Sequence, residues 1–127
     1  MCAIGWARLL GSCYLIIHNV MSRQASSDRC RSLGGYLAVV SDAQETVAIQ
    51  EFIATLGYND TLMYIDGSDV EEEGVWKTEA GDVMTYMGMS GEEPNGNRTE
   101  NCLVMTHDFV GDIGCTWSPS ISAVCEM

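Results

Sequence analysis

Six cysteines, Cys2, Cys13, Cys30, Cys102, Cys115 and Cys125, constrain what this chain can fold into more than any other feature. None forms a C-x-x-C pair, and only His18 and His107 could complete a site of the zinc-finger kind. The spacing therefore argues against structural zinc. An even number of widely spaced cysteines reads instead as three disulfides, formed in the oxidising environment that a secreted, extracellular domain meets. Counting alone leaves about fifteen connectivities open.

The chain has 127 residues, which suits a single domain over 1–127 with a core of its own. Apolar residues make up 46% of it, too many for a disordered chain. Eighteen acidic residues against six basic ones give a net charge of −12. That charge repels nucleic acid and anionic membrane, whereas carboxylate oxygens suit a hard cation such as calcium. No apolar run approaches the roughly 20 residues of a membrane span. Residues 2–20 are moderately apolar, but they contain Arg8 and two cysteines and follow no basic segment. They read as mature fold rather than a leader, with Met1 an expression initiator.

Along the chain, residues 2–20 suggest two short strands around a turn, with Cys2 and Cys13 close enough to bridge. The stretch Ser22 to Leu33 has near-helical spacing and stops at Gly34-Gly35. Tyr36 to Val40 is a short apolar strand. Ser41, with Gln44 three residues on, forms a capping-box pattern. Behind it Ile49, Phe52, Ile53 and Leu56 mark one apolar face of a helix ended by Gly57. Leu62 to Ile65 reads as a buried strand. From Asp66 to Asn101 the chain is irregular and rich in Gly, Asp, Glu and Asn, and so long a loop is usually functional. Cys102 to Met105 and Ala123 to Cys125 close the chain as strands.

Several local features align with one known pattern. They are Trp6, Ser12-Cys13-Tyr14, Cys30, Leu33-Gly34-Gly35-Tyr36-Leu37-Ala38, Glu45, Phe52 and Tyr64-Ile65-Asp66-Gly67, the last where a Trp-Ile-Gly-Leu-like strand is usual. They continue through Trp76, Glu93-Pro94-Asn95, Glu100-Asn101-Cys102, Asp112, Cys115 and Val124-Cys125-Glu126. The chain resembles a C-type lectin domain of the long form, which carries an extra N-terminal disulfide hairpin. The resemblance implies an α+β fold: two helices flanking small antiparallel sheets, a long ligand-binding loop and three disulfides. It also selects the pairing Cys2–Cys13, Cys30–Cys125 and Cys102–Cys115. The second of these closes a loop of roughly a hundred residues, worth about 4–5 kcal/mol in the chain-entropy view.

In the family, a principal calcium is held by the Glu and Asn of Glu-Pro-Asn, by a Glu shortly after, and by the Asn-Asp of Trp-Asn-Asp. Those positions fall here on Glu93, Asn95, Glu100, Gly111 and Asp112, and the same side chains would bind sugar hydroxyls. Calcium takes a mix of carboxylate and amide oxygens, so Glu93 and Asn95 suit it, and a cis Pro94 would aim both flanking carbonyl groups to one side. In isolation the triplet would be an ordinary surface turn. An auxiliary site would use Asp69 and Glu73, though Gly96 and Asn101 stand where further acids are expected, and the acid run equally suits a solvated loop tip.

Departures matter as much. Val110-Gly111-Asp112 replaces Trp-Asn-Asp, which removes one calcium oxygen and one donor to a sugar hydroxyl. Met89 stands where a Trp usually packs. Two sequons occur, at Asn59-Asp60-Thr61 and Asn97-Arg98-Thr99, and a glycan on the second would crowd the sugar site. The resemblance implies a secreted calcium-dependent lectin for mannose-type glycans, of the kind used in innate recognition of microbial surfaces. The alternative is a lectin-like domain whose sugar site is degenerate and which binds protein, another surface ligand or another metal. No nucleophile lies beside a base in the sequence pattern, so no enzyme is expected.

Overall fold

A computed structural model of the chain describes residues 2–20, 22–58, 61–70, 75–84, 102–113, 115 and 121–127. Strand β1 (Ala7–Leu9) turns through Leu10 and Gly11, both at positive φ, into β2 (Ser12–Val20). Helix α1 (Arg23–Ser32) starts at Ser22, whose hydroxyl accepts from Ala25 N at 3.0 Å, and Gly34 follows it with φ 92°. After β3 (Tyr36–Leu37) comes α2 (Ala43–Thr55), then β4 (Met63–Ser68), β5 (Cys102–Thr106), β6 (Phe109–Ile113) and β7 (Ile121–Glu126).

The cap of α2 sits one residue later than the sequence pattern suggests. Asp42, not Ser41, is the N-cap, and its carboxylate accepts from Glu45 N at 2.8 Å. Glu45 reaches back to accept from both the Ser41 backbone N and its hydroxyl, so the capping box is closed by Glu45 rather than Gln44. A carboxylate is as good a cap acceptor as a hydroxyl, which is why the pattern could slide. Ile49 and Ile53 are buried as expected and Phe52 is partly buried, but Leu56 is 47% exposed at the helix end.

The strand order is β1-β2-β7-β4-β5-β6, with β3 also paired to β7. Two antiparallel groups, β1-β2-β7-β3 and β4-β5-β6, are joined into one mixed sheet by the parallel pairing of β4 with β7. Alternation along the strands sorts the core into two faces. Met63, Ile65, Leu103 and Met105 pack with Ile49 and Ile53 of α2, together with Trp76. Tyr64, Cys102, Val104 and Ile113 pack with Cys30 of α1 and Leu37. The two helices thus flank the sheet. Three disulfides, Cys2–Cys13, Cys30–Cys125 and Cys102–Cys115, staple the hairpin, tie α1 to β7 and join β5 to the chain beyond β6. No described cysteine is free.

Candidate functional site

The ends of β4, β5 and β6 place two acids together in the topology. Ser68 pairs with Cys102, Cys102 with Ile113, and Leu103 with Asp112. Asp69, next after Ser68, and Asp112 therefore lie at the same end of three neighbouring strands, where the long segment leaves β4 and returns at Cys102. Each is only 5% exposed. Carboxylates withdrawn this far from water demand compensation, by hydrogen bonds or by a cation, and their hard oxygens are of the type that calcium prefers.

Local packing explains how that end is held. Gly67 has φ 152°, and an added Cβ there would lie 2.3 Å from Leu103 Cδ1. Only glycine lets β4 pass so close to the strand whose Leu103 faces Asp112. Asp66, standing where the family pattern has a small residue, is buried and takes Arg23 Nη2 at 2.8 Å. It also accepts the backbone N–H of Glu79 at 3.1 and 3.2 Å. Burial holds the Asp66 carboxyl above its usual range, against the opposing pull of the Glu79 N–H and Arg23. Glu79 in turn accepts from the Ser27 hydroxyl at 2.7 Å and lies 3.8 Å from Arg31. This network fastens residues 75–84, a later described part of the long segment, onto α1. A cavity of about 480 Å³ lies beside it, lined by Arg23, Ser68, Lys77, Glu79 and the Cys102–Cys115 bridge.

Of the predicted calcium and sugar ligands, Asp112 is described and buried, whereas Glu93, Asn95 and Glu100 lie outside the described residues. Of the auxiliary pair Asp69 is described and Glu73 is not; Asn59, Met89, Gly96, Asn97 and Asn101 also fall outside. Gly111 is buried within β6 opposite Val104, so a side chain there would share the face of Val104, the face opposite to Asp112. Among the described residues no three His, Cys, Asp or Glu side chains converge in a way that could hold a metal ion. His107 sits in the turn after β5, paired to Asp108 at 3.7 Å, while Asp112 is at the far end of β6; the two are not brought together.

A second cluster was not foreseen. Tyr14 of β2 donates its hydroxyl to Glu45 Oε2, and Glu126 of β7, 7% exposed, accepts from Val39 N at 3.0 Å. These groups line a cavity of about 510 Å³ together with Tyr36, Ser41 and Asp42. Burial pushes the Tyr14 hydroxyl upward, and the Glu45 hydrogen bond adds to it; burial likewise raises the Glu126 carboxyl. Sequence separation hid this grouping, since its members come from three elements. The only available signal was the resemblance itself, which named Tyr14, Glu45 and Glu126 one by one.

No helix among the described residues is long and apolar enough to cross a membrane. The chain is 27% identical to tetranectin of Homo sapiens over 97 residues, covering 74% of this chain and 48% of that protein. It is 22% identical to a perlucin-like protein of Mytilus galloprovincialis over 102 residues, covering 80% of this chain and 65% of that one. It thus spans about half the length of tetranectin and 65% of the perlucin-like protein. Among solved structures, a calcium-independent type II antifreeze protein superposes with a TM-score of 0.84 at 22% identity, over 100% of this chain and 94% of the other. The cow C-type carbohydrate-recognition domain of CD23, solved in the presence of a GlcNAc2Man3 oligosaccharide, gives 0.81 at 22% identity over 100% and 95%. These two likenesses concern the fold. The sequence also matches the family described as Lectin C-type domain over residues 19–127, and with its disulfides, flanking helices and sheet order in place, the chain belongs to the C-type lectin domain family.

Proposed function

We propose that this domain binds mannose-type carbohydrate through a calcium ion. The observation that carries the reading is the buried carboxylate of Asp112, set at the strand ends where the long segment returns, in a chain that also holds Glu93-Pro94-Asn95 and Glu100. Glu93, Asn95, Glu100 and Asp112 would hold the ion and bind the sugar. Bound calcium supplies a Lewis-acidic point that takes two vicinal hydroxyls of a sugar as ligands. The chain's own share is to accept hydrogen bonds from those hydroxyls with carboxylate oxygens and to donate with the Asn95 amide. Asp69 and Glu73 would form an auxiliary cation site. The domain acts outside the cell, where its disulfides persist, and its role is binding rather than catalysis.

One observation favours a second reading. Gly111 offers no oxygen and no donor, which leaves Glu100 without its amide partner. A lectin-like domain with a degenerate sugar site, binding a protein or another surface ligand, fits that departure. Calcium titration followed by mannose titration separates the two. Calcium-dependent mannose binding supports the first reading, and a folded protein that binds neither supports the second.

A further inference from the structure

The turn that joins β1 to β2 carries a residue that folding alone does not call for. Leu9 pairs with Ser12, and the Leu10 and Gly11 between them both have positive φ, 57° and 119°. Tight hairpins favour Asn, Asp or Gly at such positions, because a Cβ crowds the left-handed backbone. Leu10 is nonetheless a branched apolar residue, and it is 61% exposed. It costs the fold twice, in backbone conformation and in apolar surface left in water. The hairpin that presents it is held rigid by the Cys2–Cys13 bridge.

Leu10 lines the cavity of about 510 Å³ that also holds Tyr36, Glu45 and Glu126. Tyr14, Glu126 and Tyr36 stand side by side across β2, β7 and β3, so they share one face of the sheet. Exposure falls from Leu10 through Tyr36, at 43%, to Glu126, at 7%: the mouth is apolar and aromatic and the depth is acidic. No lysine, arginine or histidine is among the described lining residues. A smaller cavity of about 220 Å³ shares Val39 and Ser41 with this one and adds Asp82, Val83 and Met84. The two form one groove, long enough for a segment of chain rather than a single ion. A carboxylate as withdrawn as Glu126 gains from a cation brought to it. A bare metal ion would leave the Leu10 and Tyr36 walls unused. A basic side chain uses both parts, with its aliphatic stem on the apolar wall and its charge over the tyrosine ring and toward the acids.

We propose that this groove docks a basic segment of a partner protein, seating an arginine or lysine side chain between Leu10 and Tyr36 with its charge toward Glu45 and Glu126. The net charge of −12 favours approach of such a segment from a distance. The groove uses none of Glu93, Asn95, Glu100 and Asp112, so it stands or falls apart from calcium and sugar binding.

The test is a titration of the whole, disulfide-bonded chain with a blocked pentapeptide, acetyl-Ala-Leu-Arg-Leu-Ala-amide, followed by NMR in the presence of chelator. The control peptide carries citrulline, which keeps the shape of arginine and removes its charge. The arginine peptide should bind at least tenfold more tightly than the citrulline one, shifting the backbone signals of Leu10, Tyr36 and Glu126. Glu126→Gln and Tyr36→Ala should each weaken binding at least fivefold. Leu10→Asn should raise Tm, because asparagine suits the turn, and yet weaken the peptide; a purely structural role for Leu10 would not separate the two readouts. Equal binding of the citrulline peptide would overturn the assignment. So would unchanged binding by folded Leu10→Asn and Glu126→Gln chains, or calcium, added without chelator, shifting these signals where the peptide does not.

Discussion

Replacing Gly67 by alanine should destabilise the fold by an amount that the packing around it sets. A Cβ on Gly67 would lie 2.3 Å from Leu103 Cδ1, 2.8 Å from Leu103 Cγ and 3.0 Å from Met84 Sδ. Leu103 is fully buried, so it cannot swing into solvent to make room. Overpacking of this kind costs about 1–3 kcal/mol, and a side chain at φ 152° adds about 1–3 kcal/mol more. The expected loss is about 2–6 kcal/mol, which for a domain of this size lowers Tm by on the order of 10 °C. Leu103→Ala alone should cost about 2–5 kcal/mol by leaving a cavity. The double variant should lose less than the sum by about 1–2 kcal/mol, because the new methyl enters the vacated space. Denaturant unfolding with the disulfides intact measures all four corners of the cycle. If the two losses add to within about 0.5 kcal/mol, Gly67 and Leu103 are not in close contact and the reasoning fails.

Other expectations concern the ligand site and the acid cluster. Glu93→Gln should weaken calcium binding more than Glu73→Gln in calorimetric titration; the reverse order would move the principal ion to the auxiliary acids. Gly111→Asn should leave calcium and mannose affinity unchanged, because a side chain there would lie on the face of Val104, opposite to Asp112, with Gly111→Ala as the control that adds no polar group. Because Gly111 is buried in β6, the same change should lower Tm in calcium-free buffer; a gain in mannose affinity by the folded variant would contradict the register that sets Gly111 and Asp112 on opposite faces. Burial raises the Glu126 carboxyl in the folded state, so at neutral pH its ionised form costs stability. That cost is relieved as pH falls through the raised folded value toward the unfolded one near 4.5. Glu126→Gln should therefore raise stability at pH 7 and flatten the stability curve in that window, whereas an unchanged curve in thermal melts across pH would contradict the assignment.

What could be read before the structure was what local spacing encodes. The cysteines announced three disulfides, Ser22 and Gly34 bracketed α1, and Ile49 and Ile53 identified the buried face of α2. The shift of the α2 cap to Asp42 was not legible, because Ser41 and Asp42 are both good caps and tertiary contacts of Glu45 decide between them. The parallel pairing of β4 with β7 joins strands far apart in the chain, and no local period records it. The same holds for Asp66, whose partners Arg23 and Glu79 come from α1 and from the segment after β4. At the candidate site, Asp112 and Asp69 were named in advance, but their burial at one end of three strands needed the register. Glu93, Asn95 and Glu100 rest on the motif and the family resemblance.

Calcium titration of the wild-type chain, repeated with mannose present and again after chelation, tests the central claim most directly. Calcium should bind, mannose should bind only in its presence, and Asp112→Asn should weaken both while the three disulfides and the folded core remain. Mannose binding that persists in chelator, or a folded chain that takes up no calcium at all, would contradict it.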